Sequence, residues 1–288
     1  MSFLILIIGF ALLIKGADVF VEGASSIAKK FNVPSMIIGL TIVAMGTSAP
    51  EAAVSVTSSL AGQNDMSVAN VVGSNFFNVL VVLGVSSIIA KLPVQEETIK
   101  KDTPFLILVS ILLLVFGINL KLGRIEGLAL LGLFTYFLVN TIKSAKKATE
   151  DDSLETGETA IAIETQTSSE ISLPKTILVS LVGIAGIVLG GDMVVNSATS
   201  IATSLGMSAN LVGLTIVAVG TSLPEFVTSI VAIKKGETEI AIGNVIGSNL
   251  FNILLVLGLA AVINPISMSM LAFIDIIFMV LITLLLYM

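Results

Sequence analysis

Apolar residues run along this chain in long blocks separated by short polar intervals. Blocks long enough to cross a bilayer fall at about 3–28, 33–60, 66–90, 103–120 and 125–142, then at about 174–203, 207–233, 238–263 and 266–288. Each can supply the roughly 20 residues that a spanning helix needs, so the pattern predicts nine spans in an all-α, polytopic membrane protein. The first block holds Lys15, Asp18 and Glu22 and lacks a short apolar core followed by a small-residue cleavage site, so it reads as a retained span and not a signal peptide. Between 143 and 172 the pattern breaks into acids, from Glu150 to Glu170, mixed with Thr and Ser. Such a segment cannot bury a core. It reads as a solvated linker between a first unit, 1–142, and a second, 173–288; the rival reading, a calcium-sensing segment, lacks the loop spacing and glycine of an EF-hand.

The two units are copies. At a constant offset of 174, Gly39–Glu51 matches Gly213–Glu225 at 11 of 13 positions, and Asn70–Gly84 matches Asn244–Gly258 at 11 of 15. Five spans in the first copy force the second to enter the membrane in the opposite sense, the inverted-repeat plan of many secondary transporters. Lysine placement sets the direction. With the N-terminus outside, inner loops hold eleven lysines and outer loops only Lys121 and Arg124, as the positive-inside rule requires. The offset also predicts a partner for the fifth span at about 299–316, beyond Met288, so the second copy is expected to lack its fifth helix and the ninth span to be short.

Composition narrows the chemistry. The chain has 288 residues, 55% hydrophobic and 12% charged, with a mean hydropathy of +1.07. It contains no cysteine and no histidine, which excludes disulfides, thiolate metal sites and the commonest general base. Nothing points to an enzyme, a cofactor, nucleic acid or an obligate protein partner; the lipid bilayer is the one implied surround. Oxygen atoms remain as the reactive groups.

Those oxygens cluster in the duplicated motifs. GTSAPE, Gly46–Glu51, and GTSLPE, Gly220–Glu225, each place a carboxylate inside an apolar block, an expensive position that marks function. Pro50 and Pro224 lack an amide hydrogen and crowd the carbonyls of Gly46 and Gly220, so each helix should break there. Thr47 and Ser48 lie on the face of Glu51, as Thr221 and Ser222 do for Glu225. In the second motif Asn70, Ser74 and Asn78, and again Asn244, Ser248 and Asn252, recur every four residues and line one helix face. Two carboxylates, neutral oxygens and unwound carbonyls form a ligand set for a hard cation, and two negative charges balance a divalent one such as calcium. Competing readings stay open: protonated acids within a bundle for the glutamates, hydroxyl bonds to helix carbonyls for Thr47, Ser48, Thr221 and Ser222, and interhelical polar contacts for Ser74, Ser248, Asn78 and Asn252. Asn70 and Asn244 read as polar contacts or mouth residues, and Asn75 and Asn249 as bonded to a neighbouring helix. Asp18 and Asp192 correspond under the offset and read either as interfacial pairing, with Lys15 beside Asp18, or as lining of an ion path.

At these residues the chain resembles the sodium/calcium exchangers of the cation/calcium exchanger superfamily, in particular their compact prokaryotic members. The resemblance covers the whole membrane part, with both motifs in both halves. It implies an integral, multi-pass protein of a prokaryotic plasma membrane, with two inverted five-helix repeats, and sodium-driven calcium antiport by alternating access in which the first and sixth spans slide. It also implies a calcium site of Glu51 and Glu225 with the carbonyls of Thr47 and Thr221. Sodium sites then draw on Ser48, Ser74 and the Ala44 carbonyl, and on Ser222, Ser248 and the Ala218 carbonyl, with Asn78 and Asn252 near the middle. Calcium and sodium are the transported ions. The chain departs from the family in Asn252, where some relatives have aspartate, in Ala69, where glycine is usual, and in the expected loss of the tenth span. Proton/calcium antiport is the nearest alternative; a cation channel and an intramembrane serine hydrolase, which would need a base that Ser48 and Ser222 lack, are more remote.

Overall fold

The computed structural model describes residues 1–62, 64–156, 173–207 and 218–287. The helices are α1 (Ser2–Lys30), α2 (Ser35–Thr47), α3 (Ala49–Leu60), α4 (Met66–Ile89) and α5 (Thr98–Asn119). They continue as α6 (Arg124–Thr156), α7 (Leu173–Ser204), α8 (Ala218–Thr221), α9 (Leu223–Lys234), α10 (Thr238–Ile263) and α11 (Met270–Leu285). Six of these are long and apolar enough to cross a membrane, and α2 with α3, bent by 49°, makes a seventh span. The span expected at 207–233 is described only from Ala218, and α11 has 16 residues, about 24 Å of helix. The interhelical loops contribute one two-stranded ribbon, β1 (Lys121–Leu122) antiparallel to β2 (Ile266–Ser267), with Leu122 opposite Ile266.

Helical structure does not end where the apolar pattern ends. Helix α6 runs on to Thr156, because Ala, Lys, Glu and Leu in 145–155 are strong helix formers whatever their polarity; the rest of the predicted linker, 157–172, lies outside the described residues.

Helices α1 and α7, which correspond under the 174 offset, pack antiparallel. A Cβ on Gly16 would lie 2.8 Å from Gly183 O, and one on Gly190 would lie 2.8 Å from Gly9 O, while Ser2 near one end of α1 meets Ser200 near the far end of α7. Glycine is what allows the two backbones to touch. An inverted repeat requires its equivalent first helices to run in opposite directions, as α1 and α7 do. The helices enclose two apolar cores, one around Leu106, Leu130, Leu250 and Leu257, the other, shared by α1 and α7, around Phe20, Val43, Ile187 and Ile240. Outward-facing Ile7, Leu178, Leu181 and Ile125 are more than half exposed, a surface suited to lipid.

Candidate ion site

Each half builds its site by breaking a helix. Helix α2 stops at Thr47, Ser48 turns the chain with φ −82° and ψ 10°, and α3 restarts with Pro50 in its first turn. The second half repeats this with Thr221, Ser222 at φ −90° and ψ 4°, and Pro224. Proline is favoured in a first helical turn, where its missing N–H costs nothing. The carbonyl end of the leading half-helix and the amide end of the trailing one therefore meet at the break, and Glu51 and Glu225 occupy the amide ends, where the helix dipole favours an anion. The two breaks differ in the bond made by the turning serine. Ser48 N–H donates to Ala44 O at 3.0 Å, four residues back, whereas Ser222 N–H donates to Val219 O at 3.2 Å, three back, and not to Ala218 O.

The two halves then exchange contacts reciprocally. Ser48 Oγ donates to Glu225 Oε1 at 2.7 Å, and Ser222 Oγ lies 3.1 Å from Glu51 Oε1. Ser74 Oγ lies 3.3 Å from the same Glu51 oxygen and 3.0 Å from Ser222 Oγ. Asn70 Nδ2 donates to Glu51 O at 3.2 Å and Ser55 Oγ at 2.9 Å; Asn244 Nδ2 donates to Glu225 O at 3.3 Å and Ser229 Oγ at 3.0 Å. Across the halves, Thr47 Oγ1 meets Asn244 Oδ1 at 3.0 Å, and Thr221 Oγ1 meets Asn70 Oδ1 at 3.4 Å. The Thr47 hydroxyl also reaches Val43 O and Ala44 O, so this side chain is spent on protein partners.

A second pair of crossed amides sits one turn beyond Ser74 and Ser248. Asn78 Nδ2 donates to Asn249 Oδ1 at 3.0 Å and Asn252 Nδ2 to Asn75 Oδ1 at 3.1 Å. Asn78 and Asn252 each open a π-helical stretch, Asn78–Leu83 and Asn252–Leu257, an irregularity common at functional sites. With their nitrogens held, both amides present their oxygens. Asn75 and Asn249 thus orient Asn78 and Asn252, and Ser55 and Ser229 support Asn70 and Asn244. Ser55 and Ser229 were not singled out from the sequence, although they correspond under the offset and lie one turn after each glutamate.

What remains unpaired is informative. Glu51 Oε2, Glu225 Oε2, Asn78 Oδ1, Asn252 Oδ1 and Ser248 Oγ are buried and have no hydrogen-bond partner among the described residues. Their residues, with Ser48 and Ser222, are 0% exposed. An unsatisfied buried polar atom costs about 1–3 kcal/mol, and a charged one more. Among the described residues no lysine or arginine pairs with either glutamate, and no three acidic, histidine or cysteine side chains are grouped so as to hold a metal ion. The site is therefore a pocket of oxygens with two carboxyls and no protein cation, which suits one or more hard metal ions. Asp18 lies elsewhere, bonded to Lys235 at 2.9 Å and Lys15 at 3.7 Å, and exposed Asp192 makes no ion pair among the described residues.

The two approaches to the site are unequal. Of α10, 78% of its most apolar window is buried, against 39% for its counterpart α4. Gly243, Asn244 and Gly247 are all buried, whereas Ala69 is exposed and Asn70 and Gly73 are half-buried. A Cβ on Gly247 would lie 2.5 Å from Leu40 O. The Asn244 end is shut by backbone contact.

Known proteins share this chain's sequence pattern and fold. The family model described as sodium/calcium exchanger protein matches residues 1–143 and 175–288. The putative antiporter CaxA of Alkalimonas amylolytica is 44% identical over 90% of this chain and 80% of its own length. The sodium/calcium exchanger MaX1 of Methanosarcina acetivorans is 33% identical over 93% and 85%. A solved structure of the sodium-calcium exchanger NCX_Mj superimposes with a TM-score of 0.85 at 31% identity, covering 99% of this chain and 89% of that one. The chain belongs to the sodium/calcium exchanger family, a family of membrane transporters that exchange cations, calcium among them.

Proposed function

We propose that this chain is a sodium-driven calcium antiporter, that Glu51 and Glu225 form its shared cation site, and that its N-terminus lies outside a prokaryotic plasma membrane with the 143–172 linker inside. The observation that carries the reading is the pair of fully buried glutamates that have no protein counter-charge among the described residues, each with one unpaired oxygen. One calcium ion neutralises both charges. Sodium ions compete for the same carboxylates, assisted by Ser48 and Ser74 on one side and Ser222 and Ser248 on the other, with the carbonyls of Ala44, Thr47, Ala218 and Thr221 at the helix breaks. Asn78 and Asn252 supply amide oxygens at the centre. An ion-free site holding two negative charges resists enclosure in low dielectric, so loaded states are the ones that change access. With α10 buried and α4 half open, the fold has the inner approach shut in the proposed orientation, an outward-facing arrangement.

The test is calcium uptake into proteoliposomes under an imposed sodium gradient, compared with an imposed pH gradient of equal size. Uptake that follows sodium supports the proposal. Uptake that ignores sodium and follows pH makes the chain a proton/calcium antiporter, and currents far above transporter turnover make it a channel.

A further inference from the structure

The loop joining α9 to α10 is tied to α1 by a set of polar contacts that the ion site does not use. Lys235 Nζ lies 2.9 Å from Asp18 and 3.4 Å from Glu22. Glu237 accepts from Ser25, pairs with Lys29 at 3.3 Å, and lies 3.5 Å from Ser35 Oγ at the start of α2. A single carboxylate, 19% exposed, thus holds α1, α2 and the entry to α10 together, below the shut Asn244 end of the site.

The internal duplication supplies a comparison within the same molecule. Under the 174 offset Lys235 corresponds to Ala61, Glu237 to Gln63, Glu22 to Asn196 and Lys29 to Thr203. Only Asp192 keeps the charge of its counterpart Asp18. None of these ion pairs can therefore form between the counterparts at the opposite mouth, and Thr199, the counterpart of Ser25, has a hydroxyl with no partner among the described residues. We infer that Lys235 and Glu237 form a one-sided latch that holds α1 against the cytoplasmic mouth and biases the protein toward the state whose inner path is shut. This rests on the alternating-access reading above. Either ion pair alone on a surface contributes little, but both act on one helix, and both must release before α1 moves away from the α9–α10 loop.

The lack of native cysteine permits a direct test. Thr228, one turn from Glu225 toward that loop, is 0% exposed. A Thr228→Cys protein in inside-out vesicles should react slowly with an impermeant thiol reagent. Adding Lys235→Gln or Glu237→Gln should raise the rate roughly three- to tenfold, the scale of a lost partly exposed ion pair or small network, whereas Lys235→Arg should leave it slow. Ala61→Lys, which offers Asp192 a partner on the other side, should also raise it by favouring the opposite state. Equal rates in all four backgrounds would overturn the latch. A cysteine at Leu13, enclosed between α1 and α7, reports unfolding; if it reacts in the glutamine variants, Ala61→Lys decides, and no rise there also overturns the inference. Labelling needs no transport, so failure of sodium-driven uptake and failure of the latch are separate results.

Discussion

Replacing one glutamate by glutamine changes charge with almost no change in shape, and the two cations should feel it unequally. At an effective dielectric of about 20, unit charges about 4 Å apart interact by about 4 kcal/mol. Glu51→Gln removes one such charge, costing a monovalent ion about 4 kcal/mol and a divalent ion about 8 kcal/mol before relaxation. The difference, about 4 kcal/mol, is about three orders of magnitude in dissociation constant. Glu51→Gln should therefore weaken calcium by up to about 1,000-fold more than sodium, measured by radioactive calcium binding to purified protein with sodium as competitor. Ser48 bonds Glu225 as Ser222 bonds Glu51, so Glu225→Gln should match it within about tenfold. Stability gives an independent readout: calcium at 100 times its dissociation constant should stabilise wild-type protein by about 2.7 kcal/mol, and neither variant at that same concentration. Calcium affinity within tenfold of wild type in either variant would refute a shared two-carboxylate site.

The crossed amides make a second prediction. Asn75→Ala removes the acceptor that holds Asn252 Nδ2 at 3.1 Å, and the loss of about 1–3 kcal/mol should weaken calcium binding some 5- to 150-fold in the same assay, with folding retained on gel filtration. Packing makes a third. A Cβ at Gly16 would lie 2.6 Å from Ile187 N, while one at Gly132 meets nothing within 4 Å. Gly16→Ala should lower stability by about 1–3 kcal/mol through overpacking, whereas Gly132→Ala should be neutral or stabilising by up to about 1 kcal/mol from helix propensity, as read by thermal unfolding in detergent.

The spans and the helix breaks could be read from the sequence because each depends on local chemistry. Hydropathy over about 20 residues places a helix in a bilayer, and Pro50 and Pro224 remove a specific donor. The 174 offset also pointed to pairing between halves, since two copies of GTS-x-PE invite a shared site. The π-helical stretches at Asn78 and Asn252 were not legible. They lie within apolar runs with good helical spacing, and the amides that meet their first residues, Asn249 and Asn75, come from the other half of the chain. The stripe of Asn70, Ser74 and Asn78 therefore keeps its four-residue repeat up to the widening, beyond which the face turns away.

The latch was illegible for a different reason. Lys29 and Glu237 are 208 residues apart, and nothing in either local sequence announces the partner. Its partners meet only in the folded chain, and its one-sidedness lies in the difference between the copies at matching positions. On the proposed alternating-access reading the site has to offer both faces of the membrane the same ligands, and its proposed residues are paired across the offset: Glu51 with Glu225, Ser48 with Ser222, Ser74 with Ser248, Asn78 with Asn252. The mouths carry no such requirement. A symmetric site between identical mouths would leave the resting direction undetermined, whereas charges at one mouth alone set it without altering a single ligand. Departures from the duplication are therefore the places to look for control of direction, and Lys235 and Glu237, set against Ala61 and Gln63, are the departures that change charge beside α1.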